Sequence, residues 1–190
     1  VLKDVANLED PDRGYIESSP LLVPGMPLKG TDVATLNSDD HYCDVWHGRG
    51  DWVHYQDSQT RFSSEFGFAS SCSMQAWKKV SNRDLTPEDA AVRWHDKSGK
   101  GWEKFSGYVE LHYPKASSLE EWVYYSQLNQ RDALRFAIEH YRTSPECRGA
   151  LIWQANDCWP VQSWAVEDSE RLLKPAGFEL KRLYAPVLIT

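Results

Sequence analysis

Hydrophobic and polar positions along the chain follow two spacings, one of two residues and one of three to four. The shorter spacing, or a brief continuous apolar run, is typical of strands. Such runs, each bounded by turn-forming residues, predict four strands at Tyr15–Ser19, His41–Trp46, Arg61–Phe66 and Gly149–Trp153. The longer spacing predicts helices at residues 1–8, 70–80, 86–95, 118–142 and 174–185. Strands that alternate with helices indicate an α/β domain with a parallel sheet.

Two helix starts carry additional signals. Thr86 supplies a hydroxyl N-cap that is followed by proline and two acidic residues, and Ser118 with Glu121 forms a capping box for the longest helix. Residues 105–113 alternate in a way that fits a strand as well as a helix, so the pattern leaves their structure open.

Aromatic side chains make up 13% of the chain, which includes nine tryptophans and nine tyrosines. A core rich in aromatic residues would explain this content. A sugar site is the alternative, because the apolar C–H faces of pyranose rings stack on indole rings and a few polar groups bind the hydroxyls. Composition alone leaves both interpretations open.

The charge and the cysteines narrow the range of partners. A net charge of −7 without a basic stretch argues against nucleic acid, and no apolar run is long enough to predict a membrane span. The four cysteines form no CxxC pair, so we predict neither a metal nor another cofactor. The first residues read as the middle of a helix, so a targeting segment could be missing; lysosomal, secreted, periplasmic and cytoplasmic locations all remain open.

Glu65 is the first candidate for chemistry. It lies in Phe62-Ser63-Ser64-Glu65-Phe66-Gly67, a predicted strand that is otherwise apolar or small. A carboxylate in such a strand is costly unless it is paired, hydrogen-bonded or functional. The alternative to a functional role is a core glutamate that forms an ion pair with Arg61 or another arginine.

Two further segments combine aromatic and polar residues. In Trp153-Gln154-Ala155-Asn156-Asp157-Cys158-Trp159-Pro160 a buried strand leads into two tryptophans with polar groups between them, as in a sugar platform or in ordinary packing under a loop. In Asp39-Asp40-His41-Tyr42-Cys43-Asp44-Val45-Trp46-His47-Gly48 the histidines and aspartates meet no metal-ligand spacing.

These segments, together with Tyr15-Ile16-Glu17-Ser18-Ser19-Pro20, resemble the β-mannosidases of glycoside hydrolase family 2, in the same order along nearly the whole chain. The resemblance implies that residues 1–190 are the second half of a catalytic TIM (β/α)₈ barrel, strands five to eight. It implies a retaining glycosidase that removes terminal β-D-mannosyl residues from oligosaccharides or glycans.

The resemblance also assigns roles to five residues. Glu65 corresponds to the catalytic nucleophile, and Trp153 to a platform under the sugar that is cleaved. Trp46, His47 and Asp157 are expected to line the same pocket. Cys43 stands where relatives carry an aromatic residue, which puts the local shape of the pocket in question.

One part of the catalytic machinery is missing from the sequence. The family's general acid/base is the glutamate of an Asn-Glu pair, and no such dipeptide occurs in the chain. Loss of general acid help commonly costs about 10²- to 10⁴-fold in rate, so we expect the chain alone to be nearly inactive. A half barrel also leaves strand edges unpaired, so we expect the N-terminal half of the barrel, or a second copy, as a partner.

Three alternatives remain at this point. The first is another family 2 specificity, such as β-galactosidase or β-glucuronidase. The second is a non-catalytic carbohydrate-binding module in which Glu65 only binds a hydroxyl. The third is a small doubly wound α/β domain without a sugar role, which would show no cleft lined by Trp46 and Trp153.

Overall fold

The structure, a computed structural model, describes residues 1–15, 19–20, 39–48, 50–99 and 101–190. Within these ranges a small parallel sheet contains the strands β1 (Asp40–His41), β2 (Ser63–Phe66) and β3 (Ala150–Ile152), in that spatial order. The predicted parallel α/β arrangement is thus confirmed at this level. The predicted strand at Tyr15–Ser19 has its middle, residues 16–18, outside the described residues.

The register of the sheet brings the ends of its strands together. His41 is paired with Glu65, and Phe66 is paired with Ile152. Because the strands are parallel, their carboxyl ends meet at one edge, which is where α/β proteins usually place their sites. The segments that follow β1, β2 and β3 therefore start on the same side of the sheet.

The described part of the chain also contains the following helices. They are α1 (Leu2–Glu9), α2 (Asp44–His47), α3 (Met74–Val80), α4 (Ala90–Trp94), α5 (Trp102–Glu110), α6 (Leu119–Thr143) and α7 (Pro175–Leu183), with a 3₁₀ helix at Trp52–Asp57. The predicted N-cap of α6 is confirmed, since Ser118 Oγ accepts a hydrogen bond from the Glu121 N–H. The Glu121 carboxylate, however, accepts from the Ser117 N–H, one residue before the position that a capping box uses. The ambiguous residues 105–113 are largely helical, because Phe105, Tyr108 and Val109 bury one face of α5.

The predicted strand at His41–Trp46 is wrong beyond His41. The chain turns there into the short segment α2, whose dihedral angles are not helical at Val45 and Trp46. Local hydrogen bonds close this turn, from the Gly48 N–H to the Asp44 carbonyl and from the Trp46 N–H to the Gly50 carbonyl. The apolar side chains that suggested a strand are buried by the turn instead.

Most of the aromatic side chains belong to the core. The Trp46 ring packs at 4.9 to 5.2 Å from the rings of Phe68, Phe105 and Tyr108, and Phe66 packs against Tyr141 of α6. The long helix α6 also packs against α7 and the 3₁₀ helix. Core packing therefore accounts for much of the aromatic content. No helix among the described residues is long and apolar enough to cross a membrane.

Candidate active site

A cleft with about 80 Å³ of free space opens at the carboxyl ends of the strands, below the ~300–1,000 Å³ usual for complete ligand sites. Its walls come from β2, from the turn after β1 and from the segment after β3. The lining residues are Tyr42, Cys43, Val45, Trp46, His47, Glu65, Phe66, Gly67, Trp153 and Trp164. The fold thus brings four of the five predicted site residues to one cleft.

The Glu65 side chain is 38% exposed, so its carboxylate reaches the cleft instead of the core. Among the described residues its ion-pair contact is with His41, at 4.0 Å between Oε2 and Nδ1. Arg61, the partner that a buried structural glutamate would have needed, is exposed at the surface. Among the described residues no arginine therefore orients the carboxylate, whose position is set by β2.

A cluster of polar side chains holds His41 beside Glu65. Ser19 Oγ donates to Asp39 Oδ2 at 2.8 Å and lies 3.1 Å from His41 Nε2. Because the Ser19 proton goes to Asp39, its oxygen accepts from His41 Nε2, which leaves Nδ1 facing Glu65. Ser64 Oγ lies 3.2 Å from Ser19 Oγ and completes the cluster.

Indole rings form the apolar walls of the cleft. Trp153, just beyond β3, is 46% exposed and presents a large apolar surface there. Trp46 is almost fully buried, packed 5.8 Å from Trp164, and Trp164 stacks on His47 at 5.9 Å. The predicted platform residue Trp153 is thus accessible, whereas Trp46 reaches the cleft only as part of its wall.

Gly67 sets the distance between two walls. A Cβ atom at this position would lie 2.1 Å from the Trp153 carbonyl oxygen, far inside van der Waals contact. The end of β2 can therefore approach Trp153 only because residue 67 lacks a side chain. The Tyr55 hydroxyl donates to the Gly67 carbonyl at 2.8 Å and fixes the other side of this segment.

Two features of Trp46 stand out beside the cleft. Its backbone has φ of +69°, a conformation that bulky residues rarely adopt. Its indole N–H is buried and has no hydrogen-bond partner among the described residues. Strained backbone and unpaired buried polar groups cluster at binding and catalytic sites, where a ligand can satisfy them.

Asp157 does not join this cleft. It is buried, and both of its carboxylate oxygens accept from Ser163 Oγ at 2.7 to 2.8 Å. Burial raises the pKa of Asp157, while the nearby Lys174 ammonium opposes that rise. The resemblance implies that Asp157 lines the pocket, but the loop turns this side chain inward, where it binds Ser163 instead.

Asp157 belongs to what we call the buried polar network, which consists of Ser70, Gln130, Asp157, Ser163, Asp168 and Lys174. Burial lowers the pKa of Lys174 to about 8, and its Nζ lies 3.1 Å from Ser70 Oγ. Ser70 Oγ donates in turn to Gln130 Oε1 at 2.8 Å. The network is a support for the cleft, because Gln130 also donates to the carbonyls of Phe68 and Trp164.

Sequence reasoning missed several residues that the fold places at the cleft or beside it. His41 was considered only as a metal ligand, and Ser19, Ser64 and Trp164 were not considered. Trp164 follows Trp153 closely enough in the sequence to have been considered with it, whereas the Ser19 contacts span 20 residues or more and left no local pattern. The described residues contain no group of three or more side chains that could hold a metal ion.

Comparison with known proteins finds similarity to β-mannosidases. No protein-family model matches the chain. The Beta-mannosidase B of Aspergillus niger is 31% identical over 182 residues, and that of Aspergillus flavus is 32% identical over 176 residues; both alignments cover 87% of this chain. The chain spans about a fifth of the length of these relatives, since the alignments cover 21% of each.

A solved structure agrees with the sequence relatives. The β-D-mannosidase of Dictyoglomus thermophilum superposes with a TM-score of 0.71 and 35% identity, over 76% of this chain and 18% of that one. The resemblance to β-mannosidases inferred from the four motifs is therefore confirmed by sequence and by structure.

Proposed function

We propose, from the similarity of this chain to one segment of the β-mannosidases, that it is the half of a family 2 catalytic (β/α)₈ barrel that carries the nucleophile. The strands β1, β2 and β3 would be barrel strands six, seven and eight. The substrate class is a terminal β-D-mannosyl residue of an oligosaccharide or glycan, cleaved with retention of configuration.

The observation that carries this proposal is the setting of Glu65. Its carboxylate enters a cleft whose walls include Trp153 and Trp46, and no arginine neutralises it among the described residues. A half-exposed carboxylate can reach a substrate atom, which a nucleophile requires. Trp153 offers the apolar face on which a pyranose ring stacks.

The chemistry follows from one carboxylate acting as nucleophile. Glu65 would attack the anomeric carbon, and the bond from that carbon to the leaving oxygen would break as a general acid protonates the oxygen. The group that acted as general acid would then deprotonate a water molecule, which would release mannose and regenerate the Glu65 carboxylate. Retaining enzymes hold the two carboxyl groups roughly 5 Å apart.

The general acid would come from outside this chain. Asp157 is buried away from the cleft, and the sequence contains no Asn-Glu pair. We propose that the N-terminal half of a barrel supplies this group and covers the edges of the sheet; a second copy of the chain could cover those edges but would also lack the Asn-Glu pair. Light scattering tests the association, and a stable monomer would contradict it.

Covalent labelling tests the role of Glu65 directly. With the N-terminal half of the barrel restored, a 2-fluoro-mannosyl fluoride should attach to Glu65. The 2-fluoro group slows both steps, and the good fluoride leaving group keeps formation of the glycosyl-enzyme faster than its hydrolysis. Peptide mass spectrometry locates the label, and the E65Q variant is the matched control. Sugar binding without any label would favour a carbohydrate-binding module. Rapid hydrolysis of an aryl β-mannoside by the chain alone would contradict the proposal that the general acid lies outside this chain.

A further inference from the structure

A second aromatic surface lies beside the cleft, where the segments that follow β2 and β3 meet. Trp94, at the end of α4, is 75% exposed, and its ring lies 6.0 Å from that of Trp159 in an edge-to-face arrangement. Trp159 belongs to the loop after β3 and also packs on His95 at 4.7 Å. We call Trp94, His95 and Trp159 the aromatic ledge.

Buried polar groups hold the ledge in place. Gln162 is fully buried; its Nε2 donates to the Val92 carbonyl at 3.0 Å, and its Oε1 accepts from Trp122 Nε1 at 2.6 Å. Its backbone N–H donates to the His95 carbonyl, and His95 Nδ1 lies 2.5 Å from the Pro160 carbonyl oxygen. The two loops are thus fixed to each other, so a ligand on the ledge would pay little ordering cost.

The ledge is continuous with the cleft. Lys97, just after α4, donates from Nζ to Gln154 Oε1 at 3.4 Å, and Gln154 directly follows the cleft residue Trp153. One exposed aromatic residue needs no explanation. Here an indole at the end of α4 meets one from the loop after β3 on a rigid support. The first is largely exposed, and the loop of the second runs between the cleft residues Trp153 and Trp164.

We propose that the ledge binds the leaving-group side of a β-linked oligosaccharide, beyond the sugar held in the cleft; this proposal rests on the proposed function. A cleft with about 80 Å³ of free space cannot hold more than one sugar unit, so the remainder of the oligosaccharide must cross its rim. The exposed Trp94 ring supplies an apolar face for a pyranose ring, and Lys97 supplies a donor for its hydroxyls.

Binding of short and long ligands tests this proposal. The protein is the chain with the N-terminal half of the barrel restored, and the E65Q background prevents turnover. The probes are methyl β-mannoside and β-1,4-mannotriose, measured by isothermal titration calorimetry. Trp94→Ala should weaken mannotriose binding by about two- to tenfold and leave methyl β-mannoside unchanged. Trp94→Phe should keep most of the affinity, because a ring remains.

Phe178→Ala is the matched control, since Phe178 of α7 is an aromatic residue with 67% exposure that lies outside the ledge. It should change neither affinity. If mannotriose binds no tighter than methyl β-mannoside, or if Trp94→Ala weakens both ligands equally, the ledge proposal is wrong while labelling of Glu65 still supports the proposed function. If Glu65 is not labelled in the wild-type assembly, the proposed function fails and the ledge fails with it.

Discussion

The cleft and the buried polar network beneath it differ in how completely their polar groups are hydrogen-bonded. In the network, Gln130 and Asp157 are fully engaged in hydrogen bonds at distances of 2.7 to 3.3 Å. At the cleft, Glu65 has its ion-pair contact at 4.0 Å, and the Trp46 N–H has no partner among the described residues. Polar groups that bind each other stabilise the fold, whereas polar groups left open remain available to a ligand.

The largest effect that this comparison predicts is on the stability of the Gln130→Leu variant. Leucine would leave the buried Phe68 and Ala165 carbonyls without the Gln130 hydrogen bonds and would also remove the acceptor of Ser70. We expect a loss of about 3 kcal/mol in the free energy of unfolding. Urea denaturation followed by tryptophan fluorescence measures it.

The exposed Gln59 provides the control for that substitution. Gln59→Leu makes the same chemical change at the surface and should alter the free energy of unfolding by less than about 0.5 kcal/mol. Equal losses at positions 59 and 130 would show that the buried network contributes no special stability.

A smaller effect is expected from the pH dependence of Lys174. Burial lowers its pKa to about 8 from 10.5, so between these values the unfolded chain holds a proton that the folded chain has released. Stability from this group therefore rises as the pH increases from about 8 to 10.5, by up to roughly 3 kcal/mol. The charges of the nearby Asp157, Cys72 and Asp168 side chains oppose this lowering of the Lys174 pKa without cancelling it.

Comparing the wild type with Lys174→Met isolates this contribution, because other titrating groups are shared by both proteins. Denaturation curves at several pH values should show the wild type gaining stability relative to the variant above pH 8. Parallel pH profiles for the two proteins would show that Lys174 does not release its proton on folding.

The smallest effect on stability is expected at the cleft. Glu65→Gln removes a half-exposed charge whose ion-pair contact is long, so the free energy of unfolding should change by less than about 0.5 kcal/mol. The same substitution should abolish labelling by the 2-fluoro inhibitor. Thermal unfolding of E65Q beside the wild type measures the change in stability. A loss of 2 kcal/mol or more in the free energy of unfolding would show that Glu65 stabilises the fold.

Local sequence signals predicted those parts of the fold that depend on neighbouring residues. The N-cap at Ser118 and the strand that contains Glu65 were both found in this way. The predicted helix start at Thr86 is wrong, because the helix begins at Ala90 after the N-cap residue Asp89. The turn at Trp46 was not, because its apolar residues fit a strand equally well and only tertiary packing buries them in a turn. Asp157 was misjudged for a similar reason, since its partner Lys174 is 17 residues away and pattern reasoning does not connect them.

The contact between Gly67 and the Trp153 carbonyl should keep the shape of the cleft constant. Its width on this side is set by the repulsion of two backbones already in touch, held on the far side by Tyr55. Steric repulsion varies little with salt, pH or temperature, unlike the attraction between charges. The spacing between carboxylate and indole should therefore persist under conditions that weaken ion pairs elsewhere, and even one added methyl group at residue 67 would widen it.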